Sequence, residues 1–260
     1  MIDIEGKIKK ERLRASLQRR WTVLQNKFEK ELRTVIRSQY YAAARNVDAY
    51  ELDFYYTLEQ YNKRLRNIFR KYYKIIAVEF GEKMLEETQK NFIRYEQKGL
   101  IDDFWRFVIG WIATQVGNKI RIVQRTTRLA IQRIVKKGIE EGKTNNEIAK
   151  QIRTTSSIIA PFRAKRIART ETHTTVNYAM TEAMGQTGLI QEKEWLSAKD
   201  DRTRHGKFDH VGANGERVAL DDTFKRTGEN LEYPGDPDGS VGNIVNCRCI
   251  SLFHTKRKVA

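Results

Sequence analysis

The chain holds only two cysteines, three prolines and four histidines in 260 residues. Cys247 and Cys249 are one residue apart, a spacing at which a disulfide of ordinary geometry is difficult, so no disulfide framework is expected. No proline precedes Pro161, which leaves the first 142 residues free to run as long helices. Long apolar runs are missing too. The longest, Phe104 to Ala113, is broken by Arg106 and falls far short of the roughly 20 residues of a membrane span, so no membrane partner is expected. Met1-Ile2-Asp3-Ile4-Glu5 lacks the basic-then-apolar order of a secretory signal. Also absent are a glycine-rich phosphate loop, an H-E-x-x-H helix and a nucleophile elbow, which removes the commonest signatures of NTPases, metalloproteases and hydrolases.

Acidic residues are the minority, 33 against 49 Lys and Arg, for a formal net charge of +16. The excess is uneven: 18 basic against 10 acidic side chains in residues 1–80, 14 against 9 in 81–150, and 17 against 14 in 151–260. A surplus of this kind favours nucleic acid, an anionic membrane surface or an acidic partner. A solvated helix face rich in Lys and Arg accounts for it equally well.

Residues 1–142 read as a basic, elongated helical region. Trp21, Leu24, Phe28, Leu32 and Val35 recur at three- and four-residue spacing, one stripe of an amphipathic helix. Arg19, Arg20, Lys27, Lys30, Arg33 and Arg37 occupy the other positions. A second helix is expected from about Leu52, burying Leu65, Ile68, Phe69, Tyr72, Ile75 and Ile76, with Arg64, Arg66, Arg70, Lys71 and Lys74 around it and an interruption at Gly81. A third begins near Asp102-Asp103, acids suited to the positive end of a helix dipole, and stops at Gly138 or Gly142. The Arg and Lys of the first two helices are candidate nucleic-acid contacts. Aromatics interleaved with them (Tyr40-Tyr41, Phe54-Tyr55-Tyr56, Tyr72-Tyr73) stack bases in some proteins and fill helix interfaces in more.

Residues 143–254 read as a small mixed α+β module, with helices over 145–185 and strands and loops over 190–254. A basic tail, 255–260, follows. The fold class is therefore α+β. Thr144-Asn145-Asn146-Glu147 is a capping box, Thr154-Thr155-Ser156-Ser157 a linker, and Pro161 the first residue of a new helix. That helix carries a small face of Ala164, Ala168, Thr175 and Ala179, suited to close packing rather than to reading bases. Glu171 lies on it, near Arg169, and an ion pair with an arginine of the following module is expected. Strands are predicted at Glu192–Ala198 and Asn246–Phe253, with a hairpin whose arms are 209–211 and 216–220.

Two chemistries compete in this module. If Cys247 and Cys249 lie on a strand, their thiols share a face, and with His205 and His210 they offer a Cys₂His₂ set for a structural Zn²⁺. The plainer reading is two buried apolar thiols and two loop histidines. His205, Asp209 and His210, with Asp200, Asp201 and Cys247, also permit a hydrolytic or nuclease reading, although D-D-R-T-R is better explained as a turn held by Asp–Arg pairing.

The order A-R-T-E-T (168–172), Trp195, D-x-R-T-R-H (200–205), Gly215, Y-P-G-D-P (233–237) and N-C-R-C (246–249) resembles the phage head morphogenesis domain typified by the Mu F protein, over roughly residues 145–253. The resemblance implies a non-enzymatic minor capsid protein, assembled in the host cytoplasm and carried inside the phage head. It would bind the portal protein, with capsid or scaffolding protein as further partners, and contact packaged double-stranded DNA without sequence preference. Arg169, Glu171, Trp195, Asp201, Arg202 and Arg204 would form a structural polar cluster, and no catalytic residue is assigned. Some relatives carry a toxin domain after this module; the chain stops just past N-C-R-C, so none is expected. The alternative is a phage-encoded metal-dependent hydrolase or nuclease built on the His/Cys centre.

Overall fold

The computed structural model of the protein describes residues 4–48, 53–92 and 99–255. The helix start expected at Leu52 and the basic tail from Lys256 lie outside the described residues. The α+β expectation holds: long helices lead, and a small antiparallel sheet follows.

Helix α1 spans Ile4–Asp48, α2 Phe54–Glu59 and α3 Asn62–Ala77. A π-helical turn at Val78–Glu82 joins α3 to α4, Lys83–Phe92. This is the interruption expected at Gly81, where an added Cβ would lie 2.5 Å from Phe104 and 2.9 Å from the Ala179 carbonyl. Helix α5, Leu100–Glu140, has Asp102 and Asp103 in its first turn. Next comes the capping box, with the Thr144 N–H donating to Glu147 at 2.8 Å and the Glu147 N–H to the Thr144 hydroxyl at 3.4 Å.

Helix α6 corrects the sequence-based expectation. It runs unbroken over Asn145–Gln186 with Pro161 inside it, where a linker and a fresh start were expected. The hydroxyls of Ser156 and Ser157 bond back to the Arg153 and Thr154 carbonyls, both at 2.7 Å, staying within the helix instead of leading the chain out of it. Ala160, Ala164 and Ala168 are fully buried, so packing on both sides of the proline outweighs the break it favours.

The described residues form two compact units. The first draws on 4–24, 73–92, 99–110 and 169–255, and the second on 25–48, 53–72 and 111–168. In the second, Phe28 stacks on Tyr72 with ring centroids 4.6 Å apart and meets Phe69 edge-on. Buried Arg163 binds the Thr127 hydroxyl at 2.8 Å and the Val123 carbonyl at 3.2 Å, so its charge is solvated by α5. Ile75, assigned to a buried stripe from its spacing, is 38% exposed.

In the first unit the sheet order is β2-β1-β3, all antiparallel, with β1 at Ile190–Leu196, β2 at Arg217–Ala219 and β3 at Ile250–Thr255. A one-turn helix, α7, covers Val241–Ile244. Two strand expectations are overturned. Residues 209–211 do not form a hairpin arm: Asp209 caps a tight turn by accepting the Gly212 N–H at 2.8 Å, and β2 pairs with β1 instead, Lys193 opposite Val218. Nor do Cys247 and Cys249 lie on a strand. Asn246 is left-handed, φ 60°, and β3 begins only at Ile250.

Candidate metal centre

Four polar residues on one face of α6 prepare the site. Thr170, His173, Thr174 and Asn177 follow the i, i+3, i+4, i+7 spacing that aligns side chains along a helix, and all four are buried. Thr170 accepts the Asn246 N–H at 3.1 Å. The His173 ring NH donates to the Cys249 carbonyl, and the Thr174 hydroxyl donates to the Gly235 carbonyl at 2.7 Å. Asn177 accepts the Ser251 N–H at 3.0 Å and donates to the Cys249 carbonyl at 3.2 Å. A helix face thus supplies the hydrogen bonds that irregular backbone would otherwise lack when buried. Burial pulls the His173 pKa down to about 3, so it serves here as a neutral imidazole.

On this support sits a core of Trp195, Ala213, Phe224, Leu231, Cys247 and Cys249. His210 enters it edge-on to Trp195, ring centroids 5.3 Å apart. Its Nε2 donates to Asn243 Oδ1 at 2.7 Å, while the Asn243 amide donates to Glu229 at 3.0 Å, which orients the oxygen toward the ring. The proton therefore resides on Nε2, and the bare Nδ1 faces Cys247 Sγ at 3.6 Å and Cys249 Sγ at 3.5 Å. His210, Cys247 and Cys249 are each at most 2% exposed, and their ligand atoms lie within 4.8 Å of one another.

The two thiols are unlike. Burial pushes Cys247 up. Burial acts on Cys249 in the same sense but is outweighed, chiefly by the hydrogen bond from Cys247 and further by the Ala198 N–H, so Cys249 is the sulfur that favours the thiolate.

Of the four expected metal ligands, three converge and His205 does not. It lies exposed on the loop after Arg204 and is no member of the group among the described residues. The expected polar cluster also divides. Trp195 is fully buried and Glu171 nearly so, the latter accepting the Tyr73 hydroxyl at 2.6 Å. Arg169 is half-buried. Arg204 reaches the Val245 carbonyl, whereas Asp201 and Arg202 are exposed. The carboxylate that staples the turn is Asp200: it accepts the Thr203 hydroxyl at 3.2 Å and pairs with Arg248 at 2.5 Å. Burial would raise its pKa, but Arg248 holds it down.

His173, Asn177 and Asn243 were not anticipated in these roles, and Arg248 was not anticipated as the partner of Asp200. The polar i, i+3, i+4, i+7 series in T-E-T-H-T-T-V-N was the available signal for the first two. Glu194 was missed as well, a nearly buried strand carboxylate bound by Lys10 at 2.6 Å, His254 at 2.8 Å and Arg217 at 3.1 Å.

The candidate nucleic-acid contacts Arg19, Arg20, Lys27, Lys30, Arg33, Arg37, Arg64, Arg66, Arg70, Lys71 and Lys74 are all exposed. Arg20 is engaged by Glu79 at 2.8 Å and Lys71 by Glu31 at 2.5 Å. Arg33 and Arg37 join Arg45 in lining a cavity of about 670 Å³ in the second unit. Tyr40, Phe54, Tyr72 and Tyr73 are buried, while Tyr55 and Tyr56 are exposed. No helix among the described residues is long and apolar enough to cross a membrane.

No curated protein and no solved structure matches the chain. A family model does, that of Phage Mu protein F like protein, over residues 130–252. The matched stretch includes the polar face of α6, the core around Trp195 and all three converging ligands. Residues 130–252 are thus similar to the Phage Mu protein F like family, in agreement with the resemblance read from the motif series.

Proposed function

We propose that the protein is a minor capsid protein that docks at the portal vertex of a phage head and contacts the packaged double-stranded DNA without reading its sequence. The family match supports the coarse role, phage head morphogenesis. The DNA contact rests on the cleft of the second unit. Arg33, Arg37 and Arg45 line it together with the hydroxyl residues Thr34, Ser38, Tyr41, Ser156 and Ser157, and no carboxylate lines it among the described residues. Guanidinium forks match phosphate oxygens bidentately, and hydroxyls add donors that carry no sequence information. Arg37 is already oriented: it donates to the Tyr41 hydroxyl at 3.1 Å and lies over that ring.

Fluorescence anisotropy of labelled duplexes across a salt series tests this. Binding should be indifferent to sequence and fall steeply with salt. Replacing Arg33, Arg37 and Arg45 together by Ala should flatten the slope of log K against log[salt] by about 0.9 per lost phosphate contact. An unchanged slope removes the cleft from the interface. For the portal, co-purification that survives loss of the helical region but not of residues 143–254 is the expected result.

One observation favours a second reading, a metal-dependent hydrolase or nuclease: His210, Cys247 and Cys249 do converge. Nuclease turnover by metal-loaded protein, abolished in His210→Ala, would establish it in place of the capsid role.

A further inference from the structure

We infer that His210 Nδ1 and the thiolates of Cys247 and Cys249 form a Zn²⁺ site that fastens the turn-rich 208–215 segment to N-C-R-C. The first argument is metric. Zn–S bonds of about 2.3 Å and a Zn–N bond of about 2.05 Å at the tetrahedral angle separate sulfur from nitrogen by about 3.6 Å. The two Sγ–Nδ1 distances are 3.5 and 3.6 Å, so both sulfur–nitrogen separations match those that one shared cation requires.

The second argument is the lone pair. With its proton on Nε2, His210 offers a single lone pair at Nδ1, and two sulfurs stand equally close to it. One lone pair accepts a thiol proton well from only one of them. A cation satisfies all three atoms at once.

The third is the outer layer. Asn243 fixes the imidazole tautomer and is itself held by Glu229, the kind of partner that orients a metal-ligating histidine. Two thiolates and an imidazole are a soft-to-borderline set that suits Zn²⁺ over Mg²⁺ or Ca²⁺. Binding releases the two thiol protons to solvent and leaves the centre neutral. No fourth His, Cys, Asp or Glu joins the group among the described residues, which leaves the last position open to a water.

The test is metal analysis of full-length protein made in zinc-supplemented medium and dialysed against metal-free buffer, followed by Co²⁺ reconstitution. One zinc per chain and a thiolate-to-cobalt charge-transfer band are expected. Cys247→Ser and Cys249→Ser should each lose the metal, and His205→Ala should keep it. Asn243→Ala leaves the ligands intact and should weaken affinity about 10–100-fold. Because unfolding of a cysteine variant would mimic loss of a ligand, the deciding measurement is made on the unsubstituted protein. Absence of both zinc and the cobalt band there overturns the site, as does loss of zinc in His205→Ala.

Discussion

The side-chain amide of Asn177 is bonded to the backbone around Ile250 as a neighbouring strand would be. Its oxygen accepts the Ser251 N–H at 3.0 Å, and its nitrogen donates to the Cys249 carbonyl at 3.2 Å. A helix residue thereby completes the chain on both sides of Ile250, where β3 begins. Asn177→Leu keeps the approximate volume but strands a buried N–H and thins the partners of a buried C=O. A loss of about 1–3 kcal/mol in unfolding free energy is expected, read as a fall in the urea midpoint. Asn177→Asp restores the acceptor alone and should recover only part of it.

Gly235 is needed for two reasons. Its φ of 83° is left-handed, and a Cβ there would lie 2.9 Å from His173 Nδ1 and 3.2 Å from Thr174 Oγ1. Gly235→Ala should therefore cost at least about 1–2 kcal/mol from the backbone alone, with more from displacement of His173. Gly185, exposed near the end of α6 with open space where a Cβ would project, is the control. Gly185→Ala should be neutral or stabilising by up to about 1 kcal/mol. Thermal melts of the two variants should move in opposite directions or differ by several degrees.

Pro161 provides a direct test of the continuous helix. Inside α6 it deprives the Ser157 carbonyl of its usual donor, so Pro161→Ala should stabilise the protein, by up to about 3 kcal/mol. Were Pro161 the first residue of a separate helix, the same change would be neutral or harmful. Urea midpoints of the two proteins decide between them.

Glu194 links charge to acid stability. Burial alone would raise its pKa, but Lys10, Arg217 and His254 together bring it below the ordinary glutamate value. A carboxyl whose folded pKa is depressed contributes stability that is present above the unfolded value of 4.5 and lost as pH falls through the folded one. The unfolding midpoint of the protein should therefore fall with acidification below about pH 4.5, and that of Glu194→Gln should fall less steeply over that range. At neutral pH the variant should be less stable by about 1–3 kcal/mol, since its cationic partners are partly exposed and solvent relieves them.

Helical periodicity carried the sequence-based expectations far. The stripe of Trp21, Phe28, Leu32 and Val35, the acid start of α5, the capping box at Thr144 and the interruption at Gly81 are local consequences of side-chain spacing, and each formed where expected. The motif series from Ala168 to Cys249 was enough to point to the family whose model matches residues 130–252. Spacing misled where a local preference met tertiary packing, as at Pro161 and Ile75.

What sequence alone determined, then, is the α+β class, the long basic helices and the family likeness of the C-terminal module, because these follow from short-range periodicity, charge and motif order. Only the tertiary structure decided which ligands meet. His205 and His210 are five residues apart and look equivalent in the chain, yet one is exposed and the other is drawn beside two sulfurs by Asn243, 33 residues away. The strand expected to present Cys247 and Cys249 is absent there because Thr170, His173 and Asn177 of α6 hold that backbone in an irregular path. Contacts over such separations obey no period in the sequence; they exist because buried backbone must find a hydrogen-bond partner, and a helix face was the nearest source of one.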